Sequence, residues 1–171
     1  MLVALLVLAP ILANDRVAVW DAKDLAPREH DSVVVEFDTA SARLVPKGAP
    51  LKASGRAIDI ELLAPPVGPL PNSTGLPSAF ERPGIERLLD DPRFTVWRYQ
   101  WRPGVKTPMH FHANDVVVTY LADGVLASTT ADGKTSLNPH SYGMTKFSPR
   151  GRAHFEELAK GEARAVMVEL K

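Results

Sequence analysis

Polar and apolar positions along this chain alternate in short runs rich in Val, Ile and aromatic residues. Val17–Trp20, Ser32–Phe37, Arg43–Val45 and Arg56–Leu63 form an early set. Phe94–Trp101, Lys106–His112, Asp115–Leu121, Leu126–Thr130, Gly143–Phe147, Ala153–Leu158 and Ala163–Leu170 form a later one. A period of two with β-branched enrichment predicts strands. Asp123-Gly124 and Asp132-Gly133 punctuate the later set as turn signals. Between the sets, Ala64–Pro83 holds six prolines and two glycines. Proline fixes φ and donates no backbone hydrogen bond, so this stretch predicts an extended surface connector. In Gly84–Asp91 the spacing of Ile85, Leu88 and Leu89 predicts one short helix, closed by Pro92. Regular short strands without a long helix predict an all-β sandwich or barrel.

The two strand sets echo each other in order. Val17-Ala-Val-Trp20 matches Phe94-Thr-Val-Trp97, and His30-Asp-Ser-Val-Val-Val35 matches Asn114-Asp-Val-Val-Val118 with one residue of slack. Ala42-Arg-Leu-Val-Pro-Lys-Gly48 matches Thr145-Lys-Phe-Ser-Pro-Arg-Gly151, and Gly55–Leu62 matches Ala163–Leu170. The expectation is a shortened repeat of one β unit, with chance similarity of Val-rich strands as the alternative. Ahead of it, Met1–Ala13 is uncharged and apolar but too short to span a bilayer. It reads as the apolar core of a secretory signal, which predicts a periplasmic or secreted protein; a buried first strand in a cytoplasmic protein is the alternative. The organisation expected is therefore a leader over 1–13, a β unit over 14–63, a connector and helix over 64–92, and a main domain over 93–171.

Charge and cysteine content narrow the chemistry. In 171 residues, 20 Lys and Arg balance 20 Asp and Glu, without the basic excess of a nucleic-acid binder. The absence of cysteine excludes thiol catalysis, disulfide scaffolds and thiolate metal sites. Histidine is the strongest metal ligand left, and there are five. His110 and His112, two apart on a strand, point to one face and can share a metal. His154 opens another β run after a Pro149-Arg-Gly-Arg turn.

These residues resemble the two motifs of the cupin superfamily. The first motif, G-x5-H-x-H-x3,4-E-x6-G, is matched by Gly104, His110, His112 and Gly124, with Val117 in place of the glutamate. The second, G-x5-P-x-G-x2-H-x3-N, is matched by Gly143, Pro149, Gly151 and His154, with Leu158 in place of the asparagine. The resemblance implies a cupin-type β-barrel (a double-stranded β-helix, jelly-roll-like) over 93–171. It also implies a divalent ion (Fe, Mn, Zn, Ni or Cu) on His110, His112 and His154. Three imidazoles without the carboxylate leave positions open for a small molecule, as in the three-histidine cupin dioxygenases, so oxygenase-like chemistry leads. The alternative is a vestigial metal site in a non-catalytic small-molecule binding or sensing protein. Tyr120, Glu156 and Val117 are further pocket candidates, although a solvent-facing Glu156 and a core Tyr120 are the simpler expectations. Trp97, Tyr99 and Trp101 read as packing, and His30 and His140 as loop residues without a role. The resemblance also implies pairing into a homodimer.

Overall fold

The β-branched runs pair into three antiparallel sheets. The computed structural model describes residues 9–23 and 26–171; every regular element among them is a strand, and the chain divides into two units, Met1–Pro65 and Pro66–Lys171. The first unit contains β1 (Leu12–Ala13), β2 (Val17–Asp21), β3 (Ser32–Glu36), β4 (Ser41–Val45) and β5 (Ala57–Leu62). They form one sheet in the order β1-β2-β5-β3-β4. The central β5 is buried along its whole length, as a strand paired on both sides and covered on both faces should be.

The second unit contains β6 (Glu86–Asp91), β7 (Phe94–Trp101), β8 (His110–Phe111), β9 (Asp115–Tyr120), β10 (Gly124–Thr130), β11 (Thr135–His140), β12 (Thr145–Ser148), β13 (Ala153–Gly161) and β14 (Ala163–Leu170). One sheet runs β11-β10-β13-β8 and the other β12-β9-β14-β7-β6. This is a double-stranded β-helix, the all-β barrel expected from the strand pattern. Phe80, Tyr99, Trp101, Val116, Leu126 and Met167 belong to its core cluster. Gly124 lets the two sheets close tightly at one corner, because a Cβ there would lie 2.2 Å from the Glu162 carbonyl oxygen.

The strand order of the first unit matches that of one sheet of the second. Matching β1, β2, β5, β3 and β4 to β6, β7, β14, β9 and β12 reproduces one complete sheet of the second unit in the same order. The register agrees residue by residue: Val17 faces Leu62 as Phe94 faces Leu170, and Ser32 faces Val45 as Val116 faces Ser148. Side-chain bonds repeat as well. Trp20 Nε1 donates to Glu61 Oε2 at 3.2 Å, and Trp97 Nε1 donates to Glu169 Oε2 at 2.9 Å. The Lys47 amide donates to Asp31 at 2.6 Å, as the Arg150 amide does to Asp115 at 2.9 Å. Among the described residues, the first unit has no counterpart of the sheet made of β8, β10, β11 and β13. Val116, Val118 and Met167, which line a cavity in the second unit, correspond to the fully buried Ser32, Val34 and Asp59. In the first unit that face carries an ion pair, Arg28 Nε to Asp59 Oδ2 at 2.6 Å, and a small apolar cluster around Val34 and Leu51.

Several local expectations are corrected. Gly84–Asp91 contains no helix: Glu86–Asp91 is the edge strand β6, paired with β7 through a bulge between Arg87 and Leu89. Eight residues cannot hold a helix by themselves, whereas β7 offers a row of backbone partners and Arg98 meets Glu86 at 2.6 Å. The strand expected over Lys106–His112 narrows to His110–Phe111. Thr135–His140, with too little apolar alternation to be noticed, is β11, and its Pro139 is tolerated because β11 is an edge. His140 is thus a buried strand residue and not a loop residue. The proline-rich stretch is extended, but it is stitched onto the second unit and does not hang free. The Val67 amide donates to Lys171 O at 3.1 Å, that of Leu70 to Ala113 O at 2.8 Å and that of Ala79 to Phe111 O at 3.0 Å. The leader expected over Met1–Ala13 lies outside the described residues as far as Leu8, and Leu12–Ala13 pair with β2 as β1.

Candidate metal centre

Strand register assembles the three histidines. His110 on β8 lies directly opposite His154 on β13, so both side chains rise from the same face. His112 is two residues beyond His110, and its amide donates to the Arg152 carbonyl at 2.9 Å, which keeps the chain extended and the ring on that face. Gly151, at φ 87°, makes the left-handed turn that delivers β13, and its amide donates to His112 O at 2.8 Å.

The ring centroids lie 4.8 to 5.0 Å apart, and one nitrogen from each ring lies within 4.8 Å of the others. His110 Nε2 and His112 Nε2 are 3.2 Å apart. Two nitrogens bound to one ion at about 2.0–2.1 Å with a tetrahedral angle would be about 3.3 Å apart. His110 Nδ1 donates to the Pro108 carbonyl at 2.8 Å, which leaves the Nε2 lone pair facing the other rings. His112 Nδ1 is buried without a hydrogen-bond partner. All three rings are neutral at physiological pH. Burial lowers His110 to about 4 and His154 to about 3, against the pull of the Pro108 carbonyl on His110 and with help from Arg82 and Arg152. His112 is lowered further, again chiefly by burial. Neutral imidazoles with inward lone pairs are the donor set a divalent ion requires, so the residues fit one.

The cluster opens on a cavity of about 350 Å³ lined by both His112 and His154. Glu156 lines it too, contrary to the solvent-facing expectation, with one oxygen 4.0 Å from His154 Nε2. Its other oxygen accepts from Trp101 Nε1 at 3.1 Å, so Trp101 does more than pack. Burial pushes the Glu156 carboxyl above its ordinary pKa, opposed by Arg82 and the Trp101 bond. Tyr120 lines the cavity while stacking on His140 at 4.3 Å, and burial raises its phenol. His140 stays apart from the three-histidine cluster, with Nε2 donating to Glu162 O at 2.9 Å.

Val117 is fully buried but absent from the cavity wall, which is formed by Val116 and Val118. Successive residues of β9 face opposite sides. The shorter spacing of the first motif therefore applies, and Val116, separated from His112 by three residues, stands where the glutamate would. Two residues passed over in the sequence, Arg82 and Arg152, also line the cavity. Arg152 was within reach, because Arg152, His154 and Glu156 alternate along one strand face. Nothing local marks Arg82, whose place depends on how the proline-rich stretch is bound.

No protein-family model and no curated protein matches the chain. Among solved structures it is similar to a cupin domain from Bordetella pertussis Tohama I, at 28% identity over 53% of this chain and 97% of that one, with a TM-score of 0.48. It is also similar to an RmlC-like cupin family protein with a double-stranded β-helix fold from Methanocaldococcus jannaschii, at 14% identity over 54% and 82% of the two chains, with a TM-score of 0.43. A polyketide cyclase from Streptomyces resistomycificus is similar at 24% identity over 50% and 63%, with a TM-score of 0.41. In its two ordered motifs, its paired antiparallel sheets and the histidines they bring together, the chain is similar to cupin-domain proteins.

Proposed function

We propose that the second unit holds one divalent metal ion on His110, His112 and His154 and binds a small molecule beside it, with oxygenase-like chemistry the favoured reaction class. The observation that carries this reading is the convergence of three buried imidazole nitrogens within 4.8 Å, one of them oriented by the Pro108 carbonyl. A bound ion supplies Lewis acidity and open coordination positions. The chain's own residues supply the rest. Trp101 fixes the Glu156 carboxylate, and the raised pKa of that group suits it to hold or accept a proton at the cavity wall. Val116, Val118 and Met167 give the cavity an apolar side.

Metal analysis of untagged protein tests the reading. Near one equivalent per chain, lost in His110→Ala, is expected; less than about a tenth of an equivalent after supply of each candidate ion contradicts it. Val116, at the place of a fourth ligand, favours the second reading, a non-catalytic binding protein. That protein would be stabilised by its ligand equally with and without chelator. Export is a separate proposal, supported by recovery of a chain that starts at Asn14 and contradicted by an intact Met1 terminus.

A further inference from the structure

The cavity carries charge that a metal site does not use. Arg82 is 7% exposed, its guanidinium carbon 4.1 Å from the Tyr99 ring centroid and 5.5 Å from that of Trp101. Its Nε is fully shielded and has no hydrogen-bond partner. The buried arginine of the first unit, Arg28, meets the Asp59 carboxylate at 2.6 Å; no such bond is made at the Nε of Arg82. Arg152 lines the same cavity, held by its Nε donating to Pro149 O at 2.8 Å. Lys146 adds a third cation to the lining, against one carboxylate, Glu156, which already accepts from Trp101. Three cations against one carboxylate leave the lining an excess of two positive charges before any histidine or metal is counted. A shielded guanidinium without an acceptor is costly, and an oxyanion supplies two acceptors in the geometry of its fork. Val116, Val118 and Met167 add apolar wall to the same cavity. A volume of about 350 Å³ is at the small end for ligand sites.

We propose that the ligand of this cavity is a small organic acid bound as its carboxylate, with Arg82 as the principal anchor, Arg152 as the second, and the hydrocarbon part against Val116, Val118 and Met167. The aromatic pair under Arg82 fixes the guanidinium in advance, which reduces the ordering required when the anion arrives. The inference shares the cavity with the proposed function but does not depend on the metal.

Benzoate and its neutral isostere benzamide test it, titrated by nuclear magnetic resonance into full-length protein both stripped by chelator and loaded with zinc. Benzoate should bind roughly tenfold or more tightly than benzamide in both preparations, and Arg82→Met should weaken benzoate by a similar factor without affecting benzamide. Arg152→Met, less buried, should show a smaller loss and serves if Arg82→Met does not fold. Equal affinities for the two compounds in the unaltered protein, or no benzoate binding at millimolar concentration, would overturn the proposal. So would an unchanged benzoate affinity in a folded Arg82→Met variant. Inorganic phosphate binding more tightly than benzoate would overturn the carboxylate assignment in favour of a phosphoryl ligand. Failure of zinc to bind would count against the metal reading alone, since the carboxylate comparison is read on stripped protein.

Discussion

The ion pair that fills the first unit makes a quantitative prediction. Arg28 Nε and Asp59 Oδ2 meet at 2.6 Å, with the side chains 8% and 0% exposed, and Asp59 Oδ1 has no partner of its own. Arg28→Met leaves a carboxylate in the interior with neither oxygen bonded to a cation. Removing one partner of such a pair costs about 3–5 kcal/mol, whereas replacing both by apolar groups of similar size is close to neutral. The corresponding position in the second unit already shows the apolar solution, since Asp59 matches Met167. Arg28→Met should therefore lower the urea midpoint of the first unit by about 2 M, for a slope near 2 kcal/mol per molar. The double variant Arg28→Met/Asp59→Leu should regain most of that loss. Trp20, whose ring lies 4.5 Å from the Arg28 guanidinium, provides a fluorescence signal beside the change. A loss under about 1 kcal/mol in the single variant, or a double variant as unstable as the sum of two singles, would refute the argument.

Other consequences are checked as directly. Leu126→Ala, at a fully buried core position, should cost about 2–5 kcal/mol in thermal or urea unfolding of the second unit. Gly124→Ala should prevent stable folding of the same unit, because its Cβ would meet two backbone carbonyls; normal circular dichroism and melting would contradict the packing described. Metal-free protein should weaken in acid. His110 and His154 titrate in the folded state at about 4 and about 3, below their ordinary 6.5, so their contribution is complete above pH 6.5 and is lost as pH falls toward those values. At pH 4.5 the unfolded chain holds the extra proton, and His110 alone accounts for roughly 2–3 kcal/mol. Equal urea midpoints at pH 7 and pH 4.5 would contradict the burial of these rings.

Most of the second unit could be read from alternation, because β7, β9 and β14 are long, β-branched and buried. The histidine cluster was readable for a related reason: His110 and His112 share a face by period, and the glycine turn before His154 is a local feature. The misreadings arose where tertiary pairing decides. Gly84–Asp91 has a helical spacing of apolar residues, yet the free edge of β7 captures it as a strand. Thr135–His140 is a largely exposed edge strand whose Ser136 and Asn138 line the cavity, so hydrophobic periodicity passes over it. Counting along the motif points to Val117, while alternation on β9 gives the cavity to Val116. Arg82 reaches the site only through the backbone bonds that fasten the proline-rich stretch, and no local pattern reports those. The four short sequence matches run in the order in which the matching strands pair, and among the described residues the first unit has no counterpart of the second sheet. His110, His112 and His154 all lie on or beside strands of that sheet.

X-ray absorption of the metal-loaded protein tests the central claim most directly. The account predicts imidazole scattering from three nitrogens at about 2.0–2.2 Å, falling to two in His154→Ala. A metal environment without imidazole, or one unchanged by His154→Ala, would contradict it.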